Sequence, residues 1–304
     1  MEVIYRKLRQ SLEHLLKSKQ PVSPTQSTGQ QIHHNQTEEG LMTIDRDFVN
    51  KLLEVNAFPK LTEPTILCFR NTDAKGNEVA DTGMNLTDIY FLVDDKEIIG
   101  PLIGRSYANS RYQAAQIEWF KSQGKTGKCA NKIASGFYQS AWTRGLHFGC
   151  KALVQNRKFL IIRSYDAVFG NDDDFLQFDI VADNFHGWSP ASAGCCTVAG
   201  NMTKVDPNIT VVPNQQASGD WAVAEKWIYE FHATDAVAFS AIILEHEDLK
   251  LTPRLRVGSQ GDKVKELQAK VGVTPDGAFG SNTHSYVKKY QRANGLKADG
   301  IWNQ

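Results

Sequence analysis

The chain has 304 residues, with 34 Lys and Arg against 34 Asp and Glu, and is 41% hydrophobic and 22% charged. That is the composition of a globular protein long enough for about two domains, and the even charge balance excludes a nucleic-acid binder of the usual basic kind. No apolar run approaches the roughly 20 residues that span a bilayer. Glu2, Arg6, Lys7, Arg9 and Glu13 interrupt any secretory core at the N-terminus, so synthesis in the cytoplasm is expected. Five cysteines, an odd number scattered through a long chain, argue against a disulfide scaffold.

Residues 1–18 predict an amphipathic helix, because Ile4, Leu8, Leu12, Leu15 and Leu16 recur at spacings of three and four. Residues 19–42 are polar, with Pro21 and Pro24, and read as a linker. His33 and His34 inside it are expected to be solvated. From 43 to 250 short strands mix with a few helices. Asp45 is placed to cap a helix carrying Phe48, Leu52 and Leu53, and Ser110 to open another with Ala115, Ile117, Trp119 and Phe120. Strands are predicted at 66–70, 89–93, 158–164, 178–181 and 236–244, and a last helix carries Trp221, Ala224, Trp227, Ile228 and Phe231. Strands without a βαβ rhythm predict an α+β domain on a mainly antiparallel sheet.

Residues 251–304 contain a repeat. A shift of 23 residues lays VKELQAKVGVTPDGAF (264–279) over VKKYQRANGLKADGIW (287–302), so that Val264 meets Val287, Gln268 meets Gln291, and Asp276-Gly277 meets Asp299-Gly300. Each copy is a short helix followed by an Asp-Gly turn, and two such helices can share a core that neither could build alone. With Leu255, Gly258, Ser259, Gly261, Leu267, Phe279-Gly280, Thr283, Tyr290 and Gly295-Leu296, this pattern resembles the peptidoglycan-binding domain of cell-wall lytic enzymes. The resemblance implies a small all-α bundle whose partner is peptidoglycan. It assigns the wall-binding module to Leu267, Gln268, Asp276, Gly277, Phe279, Tyr290, Gln291, Asp299 and Gly300. The family usually continues beyond the position of Trp302-Asn303-Gln304, so a shortened module is expected.

The densest group of reactive side chains is DNFHGWSPASAGCC (183–196), where His186 precedes Cys195 by nine residues. A cysteine nucleophile needs a basic neighbour and backbone N–H groups at the developing oxyanion, and Gly194 lets the main chain approach closely. On spacing alone, a structural cysteine and a core histidine fit as well. Cys129, ahead of His147 and His186, is a lesser candidate nucleophile. Neither Cys195-Cys196 nor Asn171-Asp172-Asp173-Asp174 has the donor spacing of a zinc or calcium site, so no metal and no cofactor are expected.

The segment resembles the YkuD-like, L,D-transpeptidase-type cysteine enzymes, through Phe185-His186-Gly187 and Ser192-Ala193-Gly194-Cys195. It is closer to a phage-associated branch whose motifs are echoed by Asn184-Phe185-His186, Trp188-Ser189 and Ser192-Ala193-Gly194-Cys195. Gly136-Phe137-Tyr138, Gly145-Leu146-His147 and Arg163 extend the likeness upstream. Ala193 stands where transpeptidases usually carry a second histidine, which points away from transpeptidation more than from thiol chemistry. The resemblance implies a mainly antiparallel catalytic domain with Cys195 as nucleophile, His186 as base, and Ser192 and Gly194 in the nucleophile loop. Arg163, Tyr138, His147 and Trp188 are then candidate substrate contacts; Arg163 fits a structural ion pair with Asp166 equally well, and Tyr138 and His147 fit ordinary core positions.

Together these resemblances imply a phage or phage-tail-like lysin that reaches the wall through a lysis system or as part of a contractile injection particle, docked through residues 1–42. The alternative is a non-catalytic wall-binding tail protein that keeps the scaffold. The charge is unevenly divided: residues 251–304 carry nine Lys and Arg against four Asp and Glu, a basic tail suited to an anionic wall polymer. Between Ser164 and Thr203 there is no Lys or Arg at all.

Overall fold

The computed structural model describes residues 40–80, 86–108, 130–164, 169–170, 174–187, 194–206, 216–234 and 238–303. The expected helices at 1–18 and from Ser110, the linker up to residue 39, Cys129, Asn171 to Asp173, Trp188 and Ser192 lie outside these residues.

The strands are β1 (Thr65–Arg70), β2 (Asp88–Val93), β3 (Ile98–Arg105), β4 (Ala130–Ile133), β5 (Gly136–His147), β6 (Cys150–Gln155), β7 (Phe159–Ser164), β8 (Phe175–Asp179), β9 (Phe185–Gly187), β10 (Cys196–Val198) and β11 (Ala238–Glu245). Eight of them close into a barrel in the order β1-β11-β5-β6-β9-β10-β3-β2, and β4-β7-β8 form a separate three-stranded sheet. Pairing is mostly antiparallel; β1 with β11 and β9 with β10 run parallel. The strand predicted at 178–181 ends at Asp179, with Ile180 exposed.

Successive strand residues point to opposite faces, and here both faces are buried. Ile66 and Cys68 of β1, Tyr90 and Leu92 of β2, and Ala241 and Ile243 of β11 share one core with Trp142, Leu153, Phe185 and Cys196. Their neighbours Leu67, Phe69, Ile89, Phe91, Ile242 and Leu244 pack in a second core against Phe48, Val49 and Leu52 of helix α1 (Arg46–Val55). This two-sided burial explains why the strands read as continuous apolar runs. Asp45 caps α1 as expected, its carboxylate accepting the Phe48 N–H at 2.7 Å. Met42, assigned to the linker from sequence, is instead buried in the second core, so the packed fold begins before residue 43. Helix α2 (Gly219–Lys226) and the π-turn Trp227–Phe231 bring Trp221, Ala224, Trp227 and Ile228 onto the first core.

The C-terminal segment contains α3 (Asp262–Val271), α4 (Ser281–Ala293) and a short ladder between β12 (Arg254–Leu255) and β13 (Trp302–Asn303). It is fastened to the barrel. The Phe137 N–H donates to the Val257 carbonyl at 2.9 Å, and the Gln260 N–H to the Ala57 carbonyl at 2.8 Å. Arg256 is fully buried; its Nη1 donates to Asp248 Oδ2 at 2.7 Å and to Ser135 Oγ at 2.6 Å, and its Nη2 donates to Asp248 Oδ1. No described helix is long and apolar enough to cross a membrane.

Candidate functional site

The parallel pairing of β9 with β10 sets Cys196 beside Phe185 and Thr197 beside His186. Cys195, one residue ahead of β10, therefore lies next to Asn184. The Asn184 N–H is 3.5 Å from Cys195 Sγ, and the thiol donates to the Ala182 carbonyl at 3.4 Å. The two adjacent cysteines are unlike. Cys195 is half-buried, whereas Cys196 is fully buried in the barrel core and burial pushes its thiol pKa up. Only Cys195 combines access with a polar setting.

Gly194 is required by space. A Cβ there would lie 2.4 Å from Asn131 Cβ and 2.5 Å from Asp183 Oδ1. Asp183 is buried, and burial raises its pKa to about 7 against the opposing effect of the hydrogen bond from Asn131 Nδ2 at 3.0 Å. Arg163 on β7 donates to Asn131 Oδ1 and, through Nε, to Gln177 Oε1 at 3.1 Å. Arg163, Asn131 and Asp183 thus form a brace behind the cysteine loop.

His186 is 2% exposed. Its Nδ1 lies 2.6 Å from the Gly187 carbonyl oxygen, an acceptor only, so Nδ1 carries the proton and Nε2 a lone pair. That Nε2 is buried without a hydrogen-bond partner among the described residues. Burial, with the neighbouring His147, lowers its pKa to about 3, so the ring is a neutral proton acceptor at pH 7. His147, at the end of β5, stacks on His186 with ring centroids 4.3 Å apart. One ring nitrogen from each histidine and Cys195 Sγ lie within 4.8 Å of one another.

The sequence-derived candidates separate clearly. Cys195, His186, Gly194 and His147 come together. Tyr138 does not join them: it lies in the barrel core against Phe159, and its hydroxyl donates to the Ala134 carbonyl at 2.7 Å. Of the two readings of Tyr138, the structure shows the core position: on β5 it packs in the first core, while His147 stands at the end of that strand. Arg163 braces Asn131 rather than presenting its whole guanidinium to a ligand. Trp188 and Ser192 are outside the described residues.

Sequence reasoning gave Asn184 no role of its own. Its Oδ1 accepts the Gln155 N–H at 2.9 Å and its Nδ2 faces His147 Nδ1 at 2.9 Å. The signal was its position two residues before His186. Phe148 was also missed. It is an exposed aromatic at φ 48°, in the two-residue hairpin turn that joins His147 to Cys150, and its ring is 4.3 Å from that of His147.

At the C-terminal end, the two halves of the repeat have the same internal wiring. Gln268 Nε2 donates to Asp276 Oδ1 at 2.7 Å and to the Ala278 carbonyl at 3.1 Å, while its Oε1 accepts the Gly277 N–H at 2.9 Å. Gln291 does the same with Asp299 at 3.1 Å, Ile301 at 2.8 Å and Gly300 at 2.9 Å. Each Asp also accepts the N–H two residues on, from Ala278 at 2.8 Å and from Ile301 at 2.9 Å. A buried glutamine thereby holds each Asp-Gly turn, whose glycine sits at φ 77° in both copies, a region that favours glycine. Residues 260–304 match the family model of the peptidoglycan binding domain.

The C-terminal segment is a peptidoglycan-binding domain. Peptidoglycan is accordingly a partner of this chain and the cell wall its target. Within the peptidoglycan-binding domain, Leu267 and Phe279 are core residues, and Gln268, Gln291, Gly277 and Gly300 are buried in the turn framework. Much of the sequence pattern therefore belongs to the domain's skeleton, while Asp276 is exposed and Tyr290 and Asp299 are half-buried. Tyr290 is the more accessible of the aromatic candidates, half-buried 5.4 Å from the Trp302 ring, with Lys270 Nζ 4.8 Å above that ring. A cavity of about 270 Å³ lies between the barrel and this domain, with Arg70, Lys132, Glu245, Lys288 and Asp299 in its walls. No curated protein and no solved structure matches the chain.

Proposed function

We propose that the barrel is a cysteine enzyme of YkuD-like, L,D-transpeptidase type, acting on the peptide stems of peptidoglycan, with the C-terminal domain holding it on the wall. The observation that carries this reading is the half-buried Cys195 thiol beside the buried His186, whose Nε2 lone pair faces no other partner among the described residues. In this reading Cys195 Sγ attacks a stem-peptide carbonyl as its proton passes to His186 Nε2. The backbone N–H groups around Gly194 and Cys195 serve the oxyanion. Collapse expels the amine, which takes the proton back from His186 and leaves an acyl group on sulfur. Water then gives hydrolysis; an amine gives transpeptidation.

The phage-like motif at Asn184–His186 and Ser192–Cys195 supports placement in a lysis system or tail-like particle, with delivery to the wall after synthesis in the cytoplasm. The test is to quench a reaction with stem peptides in acid and map the protein by mass spectrometry. An acyl adduct on the peptide that contains Cys195 is expected. Unchanged turnover by Cys195→Ala would overturn the reading, and wall binding without turnover would favour a non-catalytic tail protein.

A further inference from the structure

His186 and His147 present opposite faces of the same chemistry to one thiol. Asn184 Oδ1 is fixed by the Gln155 N–H at 2.9 Å, so the group aimed at His147 Nδ1 is the Nδ2 amide, a donor only. His147 Nδ1 must therefore accept, and the neutral ring carries its proton on Nε2. His186 is held the other way, with Nδ1–H given to the Gly187 carbonyl and the lone pair on Nε2. Ring nitrogens of both lie within 4.8 Å of each other and of Cys195 Sγ. The two rings, stacked 4.3 Å apart beside Cys195, thus carry one bare lone pair and one N–H on their Nε2 atoms.

We propose that His147 is a catalytic hydrogen-bond donor, its neutral Nε2–H polarising the scissile carbonyl and holding the oxyanion, and that Asn184 is the positioning residue that keeps it in this tautomer. The inference rests on the cysteine-enzyme reading of the site. As Sγ bonds to the carbonyl carbon, the thiol proton moves to His186 Nε2 and the carbonyl π pair moves onto oxygen. That oxygen accepts the His147 N–H. On collapse the C–N bond breaks and His186 returns its proton to the amine, so His147 keeps its own proton throughout. A neutral imidazole is suited to such a role because it polarises without taking up a proton, and burial lowers the pKa of His147 in the same sense. His147 is half-buried and His186 fully buried, so His147 is the more accessible of the two rings. The same three residues have the outline of a metal site, but the Nδ1 lone pair of His147 is occupied by Asn184, which leaves only His186 and Cys195 with donor atoms to give.

The test is long-range proton–nitrogen NMR of histidine-labelled protein at pH 7, with kinetics alongside. His147 is expected as the Nε2–H tautomer and His186 as the Nδ1–H tautomer. Asn184→Asp, which replaces the donor by an acceptor, should flip His147 to Nδ1–H. On stem peptides His147→Ala should lower kcat by about 10²–10³ with little change in KM, His147→Gln should recover part of the loss, and alkylation of Cys195 by iodoacetamide should be unaffected. A wild-type His147 with its proton on Nδ1, a zinc-induced shift of the His147 nitrogens, or a His147→Ala variant with full turnover would overturn the proposal. An inactive wild type would instead sink the enzyme reading, and the tautomers would still decide the assignment of His147.

Discussion

The rings of His147 and His186 stack with centroids 4.3 Å apart and planes 24° apart. A proton on either ring would be both poorly solvated and close to the other imidazole. Burial comes first and the neighbouring ring second in lowering His186 to about 3.

The sign for activity follows from that shift. A base whose pKa is lowered stays unprotonated as the medium is acidified, so activity should persist well below the ordinary histidine value of about 6.5. A kcat/KM profile on stem peptides should show no loss between pH 7 and 5. A fall centred near pH 6.5 would mean that the base is a solvated histidine.

Gly194→Ala should damage the cysteine loop. Its Cβ would lie 2.4 Å from Asn131 Cβ, a backbone-proximal atom that cannot swing aside. Overpacking of this kind costs about 1–3 kcal/mol. Urea unfolding should show that loss, together with reduced turnover, and an unchanged midpoint would place Asn131 elsewhere.

Phe148 stands at φ 48° where a two-residue hairpin turn favours Asn or Gly. Keeping an aromatic in this region is a local strain beside the site. Phe148→Asn should raise stability by about 0.5–1 kcal/mol and lower kcat/KM for stem peptides, because the ring against His147 is lost. A variant both less stable and equally active would contradict this account.

Asp248→Ala should be among the most damaging single changes outside the site. It strands the Arg256 guanidinium, which is fully buried at the joint between barrel and wall-binding domain. Removing one partner of a buried ion pair costs about 3–5 kcal/mol. The exposed Lys51–Glu54 pair, at 2.9 Å, is the control, and Lys51→Ala should cost under about 1 kcal/mol. Equal effects in thermal melts would refute the clamp.

Local patterns were readable before the fold. The Asp45 cap, the strand runs of β1, β2, β7 and β11, and the 23-residue repeat depend on neighbours in sequence. Cys195 and His186 were readable as a pair because the short segment between them joins adjoining strands. His147 was found as a residue but not as a partner, since its place beside His186 depends on β6 running between β5 and β9. The tautomer lock needed Gln155 and Gly187 as well, which no spacing rule connects. Tyr138 and the repeat residues show another limit, since their structural roles depend on packing. Gln268 and Gln291 hold their Asp-Gly turns through contacts that the sequence pattern alone does not show.

Release of fragments from purified sacculi tests the central claim most directly. Wild-type protein and Cys195→Ala are incubated with the same sacculi and the soluble muropeptides compared by mass spectrometry. The account predicts that both proteins bind the sacculi, and that only the wild type releases products altered in the peptide stem. Identical product patterns from the two proteins would contradict it.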